Sequence, residues 1–342
     1  EDIGTTGTYA LGLGLLAQSD GLIEATGVTL RRTASSAVAA TEGGRVVLDE
    51  VSIEQSWLND AFDNGYALYA PEGGLIDARE LSIQSAGGVG ALASGEGSRI
   101  TLVDSVIERV YRSTGAGTAF GLLVQDHAAA VLSGVLFQDI EGPGLACSSG
   151  ASLDAQDVEV LGARFAGVLL QGCEAALQAV SVSETLADPD SGGGLGFYLD
   201  GLGHGPNRVL GSLLSALDNP FGGLLSVGPG SLALDGDLQG SEGVPLGERM
   251  LMGHAFAAVD CSDLTVGGAM TEGRAGLFLS ACSPTLQSLS FEGNEVDLHQ
   301  QACEGDPLEP PEGATATLCP AYDELLIGLS FDATLQESLL EP

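Results

Sequence analysis

The chain has 342 residues, and its 47 Asp and Glu outnumber 11 cationic residues, all of them Arg, for a formal net charge of −36. A surface of that sign repels nucleic acid and anionic membranes, and it disfavours acidic polysaccharides as ligands unless cations bridge them. No apolar run approaches the ~20 residues needed to span a bilayer, so the chain is not expected to cross a membrane as a helix.

Residues 1–14 are rich in Gly and Thr and precede the first regular phrase. They are expected to form an N-terminal cap, because a solenoid's end would otherwise expose stacked apolar residues. From Leu15 onward one phrase recurs. Its starts are Leu15, Val38, Tyr66, Ala91, Leu122, Leu145, Val168, Phe197, Leu224, Phe256 and Leu277, at spacings of 21 to 32 residues. Leu122 to Leu145 and Leu145 to Val168 are both 23 residues apart. Each phrase carries short alternating strands: Val158 and Val160 fall on one face and Glu159 on the other. The same inward pair recurs as Val28/Leu30, Val51/Ile53, Leu81/Ile83, Val135/Phe137, Val180/Val182 and Leu289/Phe291. Turn residues such as Ser148-Ser149-Gly150 and Gly162 separate the strands. A fixed period near this length signals a solenoid. A coil of this size has no room for a helix per turn, so the rest of the coil is itself the crossover that parallel strands require.

This pattern, over about residues 15–298, resembles the right-handed parallel β-helix repeat of bacterial envelope and secreted proteins, the shape shared by pectate lyases and phage tailspikes. The resemblance implies an all-β fold: a right-handed single-stranded parallel β-helix of about eleven coils with terminal caps. At one strand spacing per coil that is a rod of about 50 Å. A leucine-rich solenoid would need a regular Leu-x-x-Leu-x-Leu with an Asn ladder, which the chain lacks. Residues 299–342 lie beyond the repeat and are expected to form a C-terminal disulfide loop and cap.

Four long insertions interrupt the period: Glu54 to Gly65, Glu108 to Gly121, Glu184 to Gly196 and Gly240 to Ala255. They mostly follow the Val-x-Val strand, so they share one edge of the rod, and that is where repeat proteins bind. The first holds the only Trp, Trp57, with Asp60 and Asp63, an aromatic-plus-acid composition suited to sugar. The second holds Arg109, Tyr111 and Arg112. These six are the candidate ligand-binding residues, the alternatives being that Trp57 covers the coil beneath it and that Arg109 pairs with a carboxylate. Asp126-His127 sits in a turn, where adjacent side chains diverge, and is read as an ordinary solvent-facing pair. In the third insertion, Asp188-x-Asp190-x-Gly192 looks like the start of a calcium loop, with alternate carboxylates around a hard cation. Asp235-Gly-Asp237 is a weaker copy, and an acidic turn without metal is the alternative.

Six cysteines fall into three candidate disulfides: Cys147–Cys173 and Cys261–Cys282 at matching places in successive coils, and Cys303–Cys319 in the C-terminal region. Such pairing points to an oxidising setting, extracellular, periplasmic or on the outer cell surface. The functional expectation is a non-catalytic protein for adhesion, ligand display or spacing, with carbohydrate or a surface protein as partner. The alternative is a β-helix polysaccharide lyase or glycoside hydrolase. A lyase would need a basic residue from among Arg109, Arg112, Arg208 and Arg249, and a hydrolase two carboxylates roughly 5–10 Å apart.

Overall fold

The computed structural model describes residues 12–57, 65–112, 119–188, 193–241, 244–246, 249–251, 253–301 and 307–319. Among them there is no helix, and 27 strands belong to one sheet. Every pairing within that sheet is parallel, and each joins a strand to its equivalent one coil away, as in Leu145↔Val168. The chain is a parallel β-solenoid.

Each coil has three faces. In the coil of Leu145, the strand Leu145–Ser148 forms face I. The strand Ser152–Leu161 then folds at Asp157 into faces II and III. Inward side chains from all three meet in one core, for example Leu145, Leu153, Val158 and Val160, all buried. The face I ladder passes through Leu15, Val38, Leu68, Ala91, Leu122, Leu145, Val168, Phe197, Leu224, Phe256, Leu277, Leu298 and Ala316. Ten of the eleven expected starts lie on this ladder in register. The eleventh is corrected: Leu68, not Tyr66, occupies the rung, and Tyr66 pairs with Ser36. Both residues satisfy a period of two, but Leu68 is in the core whereas Tyr66 stacks on Tyr69 outside it, with ring centroids 4.7 Å apart.

Two columns of backbone shape the coil. At the bend between faces II and III the chain takes positive φ at Glu50, Glu80, Asp104, Asp157, Ala179 and Leu213 as well as at Gly27 and Gly134. Left-handed backbone disfavours a side chain by about 1–2 kcal/mol. Here the ladder continues through the bend and offsets that cost: Glu50 N donates to Arg79 O at 3.1 Å and Asp104 N to Ser133 O at 2.9 Å. The second column precedes each face I rung from Leu15 to Leu277 and holds only Gly or Ala there: Gly14, Ala37, Ala67, Gly90, Gly121, Gly144, Gly167, Gly196, Gly223, Ala255 and Gly276; Asp297 and Thr315 precede the two rungs that follow. Core side chains from face III press against it. A Cβ at Gly144 would lie 2.4 Å from Val160 Cγ1, and one at Gly167 2.1 Å from Val182 Cγ1.

Face I is packed on both sides. Leu122 and Val124 point into the coil, while Leu123 points out into a second apolar cluster with Leu92, Leu169, Tyr198, Leu225 and Phe278. Corner residues Phe165 and Phe221 join it, and the rings of Phe165 and Tyr198 meet edge to face at 5.8 Å. Two disulfides stitch neighbouring coils: Cys147–Cys173, with Cα atoms 5.9 Å apart, and Cys261–Cys282, at 5.2 Å. Cys319 is also disulfide-bonded, while its expected partner Cys303 lies outside the described residues. No helix among the described residues is long and apolar enough to cross a membrane.

Candidate functional site

All four long connections join face III to face I, so they line one edge of the rod. They run from Ser52–Trp57 to Gly65–Pro71, from Val106–Tyr111 to Phe120–Gln125, from Glu174–Ser183 to Leu195–Asp200, and from Gly230–Gln239 to His254–Val259. The last carries an antiparallel hairpin, Val244–Leu246 with Arg249–Leu251. Trp57 closes the first of these strands, its backbone paired with Ala34. Asp60, Asp63 and Asp190 lie outside the described residues.

The structure assigns the second and third insertions to a shared clamp. Arg112 follows the strand Val106–Tyr111, in which Tyr111 is half-buried. The Arg112 backbone N–H donates to a Glu141 carboxylate oxygen at 2.9 Å, and its Nε donates to the Glu141 carbonyl at 2.8 Å. Its guanidinium forms an ion pair with Asp188, whose side chain is only 2% exposed. Asp188 is carried there by a segment laid back against the previous coil: Leu186 N donates to Ala163 O at 2.7 Å, and Phe165 N to Leu186 O at 3.1 Å. One cation thus ties together the corners of three coils. Arg109 stands apart, at a left-handed bend on the exposed surface, 2.5 Å from Glu108. Arg109, Tyr111 and Arg112 therefore share a strand end but present no common surface with Asp188 beyond the clamp.

Farther along the same edge lies a groove of about 540 Å³ walled by Asp218, Gln239, Glu272, Arg274 and Glu295. Gln239 organises it: its carbonyl accepts the Asp218 N–H at 2.8 Å, and its amide donates to Glu272. Two asparagines fix the floor. Asn219 accepts from Thr185 N at 3.2 Å and donates to Val182 O at 3.4 Å. Asn294 repeats this with Gly273 N and Met270 O, both at 2.9 Å. Each replaces backbone bonds that the corner would otherwise leave open. The groove offers exposed carboxylates and one guanidinium, a set that binds hydroxyl-rich or cationic groups by hydrogen bonding and charge. Sequence reasoning placed this edge but not this groove. Its only signal was Asn after a left-handed corner residue, in Asp218-Asn219 and Gly293-Asn294.

Asp126 and His127 form a turn with φ of 56° and 65°, and Asp126 accepts from Ser94 Oγ at 3.0 Å. Asp235 and Asp237 are exposed on either side of the bend between faces II and III, facing away from the core. Among the described residues, no three His, Cys, Asp or Glu side chains converge as a metal-binding group. Finally, a ring stack crosses the last coils on the outer side of face I. His254 and Phe278 lie 4.7 Å apart, Phe278 and His299 5.5 Å apart, and both pairs are within 5° of parallel. Burial, then the neighbouring positive Arg274, then His299 push the His254 pKa down to about 3. Burial also lowers that of His299, against a hydrogen bond to Gln301 that raises it.

Compared with known proteins, the chain matches no family model, no curated protein and no solved structure.

Proposed function

We propose that this protein is a non-catalytic β-solenoid of the extracellular space or cell envelope, serving as a rigid rod that holds one binding edge at a distance. The observation that carries this reading is the unbroken in-register ladder from Leu15 to Ala316 with its two inter-coil disulfides. A ladder of that kind supports stiffness along the rod, and the disulfides support an oxidising compartment. The binding edge is the III-to-I corner, where length varies from coil to coil while face I keeps its register. Its expected partners are neutral, hydroxyl-rich carbohydrate or a surface protein. Calcium belongs to this reading as a counter-ion. Asp188 is committed to Arg112, so the reading assigns calcium to the exposed carboxylates of the groove, Asp218, Glu272 and Glu295.

The test is a pair of assays on the intact chain. Binding to arrayed glycans and to whole cells, with and without calcium, should be saturable and should weaken when Glu272 and Glu295 are both changed to Gln. Incubation with the same polysaccharides should release neither reducing ends nor unsaturated sugars. Release of either product would overturn the non-catalytic reading in favour of a lyase or hydrolase.

A further inference from the structure

The His254–Phe278–His299 stack sits where acidity can act on it. His254 lies at the start of the strand His254–Val259, Phe278 on Ala275–Ser280 and His299 on Val296–Gln301, so the three rings bridge three successive coils. All are sealed from solvent: His254 is 3% exposed, Phe278 1% and His299 1%. Among the described residues, His254 Nδ1 has no hydrogen-bond partner, and it is buried. No described neighbour therefore rewards a second ring proton.

The charged groups around the stack point the same way. Arg274, one residue before the central strand, already places a positive charge beside His254. The strand beneath, Gly222–Val227, the central strand Ala275–Ser280 and the strand Ala316–Leu318 carry no charged side chain. The one carboxylate on the strand of His299, Asp297, is held by Thr315, whose N–H and hydroxyl both donate to it at 2.9 Å. The neighbouring Gln301 meets only the rim of the stack, 3.4 Å from His299 Nε2.

We propose that this stack is an acid-opened latch: with both imidazoles neutral the rings hold residues 254–301 closed, and protonating them opens these coils while the coils before them stay folded.

The sign follows from linkage. His254 is harder to protonate folded than unfolded, so its neutral form contributes fully to stability above about pH 6.5, the unfolded value. That contribution is lost as pH falls from there towards about 3. Each unit of pH well inside that window shifts the opening equilibrium about tenfold through His254. Solenoid coils contact only their neighbours, so opening of these coils need not unfold the coils before them.

The test is hydrogen exchange of the full chain followed by mass spectrometry, at about pH 7 and about pH 5.5 and fixed ionic strength, with intrinsic rates corrected. Peptides covering residues 254–301 should lose protection about tenfold at the lower pH, and peptides covering 122–171 should not change. The double variant His254→Phe/His299→Phe keeps the ring stack and should lose this response; the single His299→Phe should keep most of it. An equal change in both regions, or the same response in the double variant, would overturn the proposal. If the double variant does not fold, the wild-type contrast between the two regions decides alone.

Discussion

The outer side of face I and the outer sides of faces II and III are built on the same ladder yet behave oppositely. Outside face I, Tyr198, Leu225 and Phe278 are 2%, 0% and 1% exposed. Outside face II, Leu22 and Leu210 are 60% and 68% exposed. The difference lies in the residues around them. Face I strands are continuous apolar runs, Phe120-Gly-Leu-Leu-Val, Ala166-Gly-Val-Leu-Leu and Leu195-Gly-Phe-Tyr-Leu, as strands buried on both sides must be. Faces II and III alternate, as in Ser152-Leu-Asp-Ala-Gln, because one side stays wet. The solenoid therefore has two cores, one inside the coil and one along face I, and every feature with unusual chemistry lies at or beside the second.

That contrast can be broken or sharpened by substitution. The largest effect is expected for Leu225→Asp, which puts an unpaired carboxylate into the outer cluster and should cost about 4 kcal/mol or more, whereas Leu210→Asp on face II should change stability by less than about 0.5 kcal/mol. Urea melts of the two variants check this, and equal costs would dissolve the distinction. Next is Gly167→Val, which drives a branched side chain into Val182 from the face I backbone. It should cost about 3 kcal/mol, while Ala176→Val outside face II stays near neutral. A similar loss, about 3 kcal/mol, is expected for Arg112→Ala, because it leaves Asp188 buried without its cation. Changing both residues to Ala should cost less than the two single changes added together, and additive melts would remove the clamp from the account. Replacing Cys147 and Cys173 by Ala should lower stability by about 2–3 kcal/mol under non-reducing conditions. Smallest is calcium. It should raise the melting temperature by a few degrees beyond matched ionic strength, a gain that Glu272→Gln with Glu295→Gln removes.

Much of the fold was legible because the physics that makes it is periodic. Ladder stacking requires the same residue class at the same place in each coil, and that survives as a count in Leu122, Leu145 and Val168. Tyr66 was misplaced by two because a strand's period is two, and composition alone cannot separate a core Leu68 from a cluster-facing Tyr66. The Gly and Ala column was visible as letters but not as a column. Its cause is a contact between face I backbone and face III side chains some 15 residues apart in sequence, as in Gly144 and Val160. The site was less legible. Insertion lengths located the edge, since a loop must leave a solenoid at a corner. Which groups meet there depends on how each loop returns, and that brought Asp188 to Arg112 and left Arg109 on its neighbour Glu108. The walls of the groove come from Asp218, Glu272 and Glu295, residues from separate coils that no local motif joins.

Hydroxyl-radical footprinting of the intact chain tests the two-core account most directly. Tyr198, Leu225 and Phe278 should resist oxidation as strongly as the interior Phe137 and Phe197, while Leu22, Leu210 and Leu213 are oxidised readily. Oxidation of Tyr198 and Phe278 at the rate of Leu210 would show that the outer side of face I is wet like the others, and the second core would have to be abandoned.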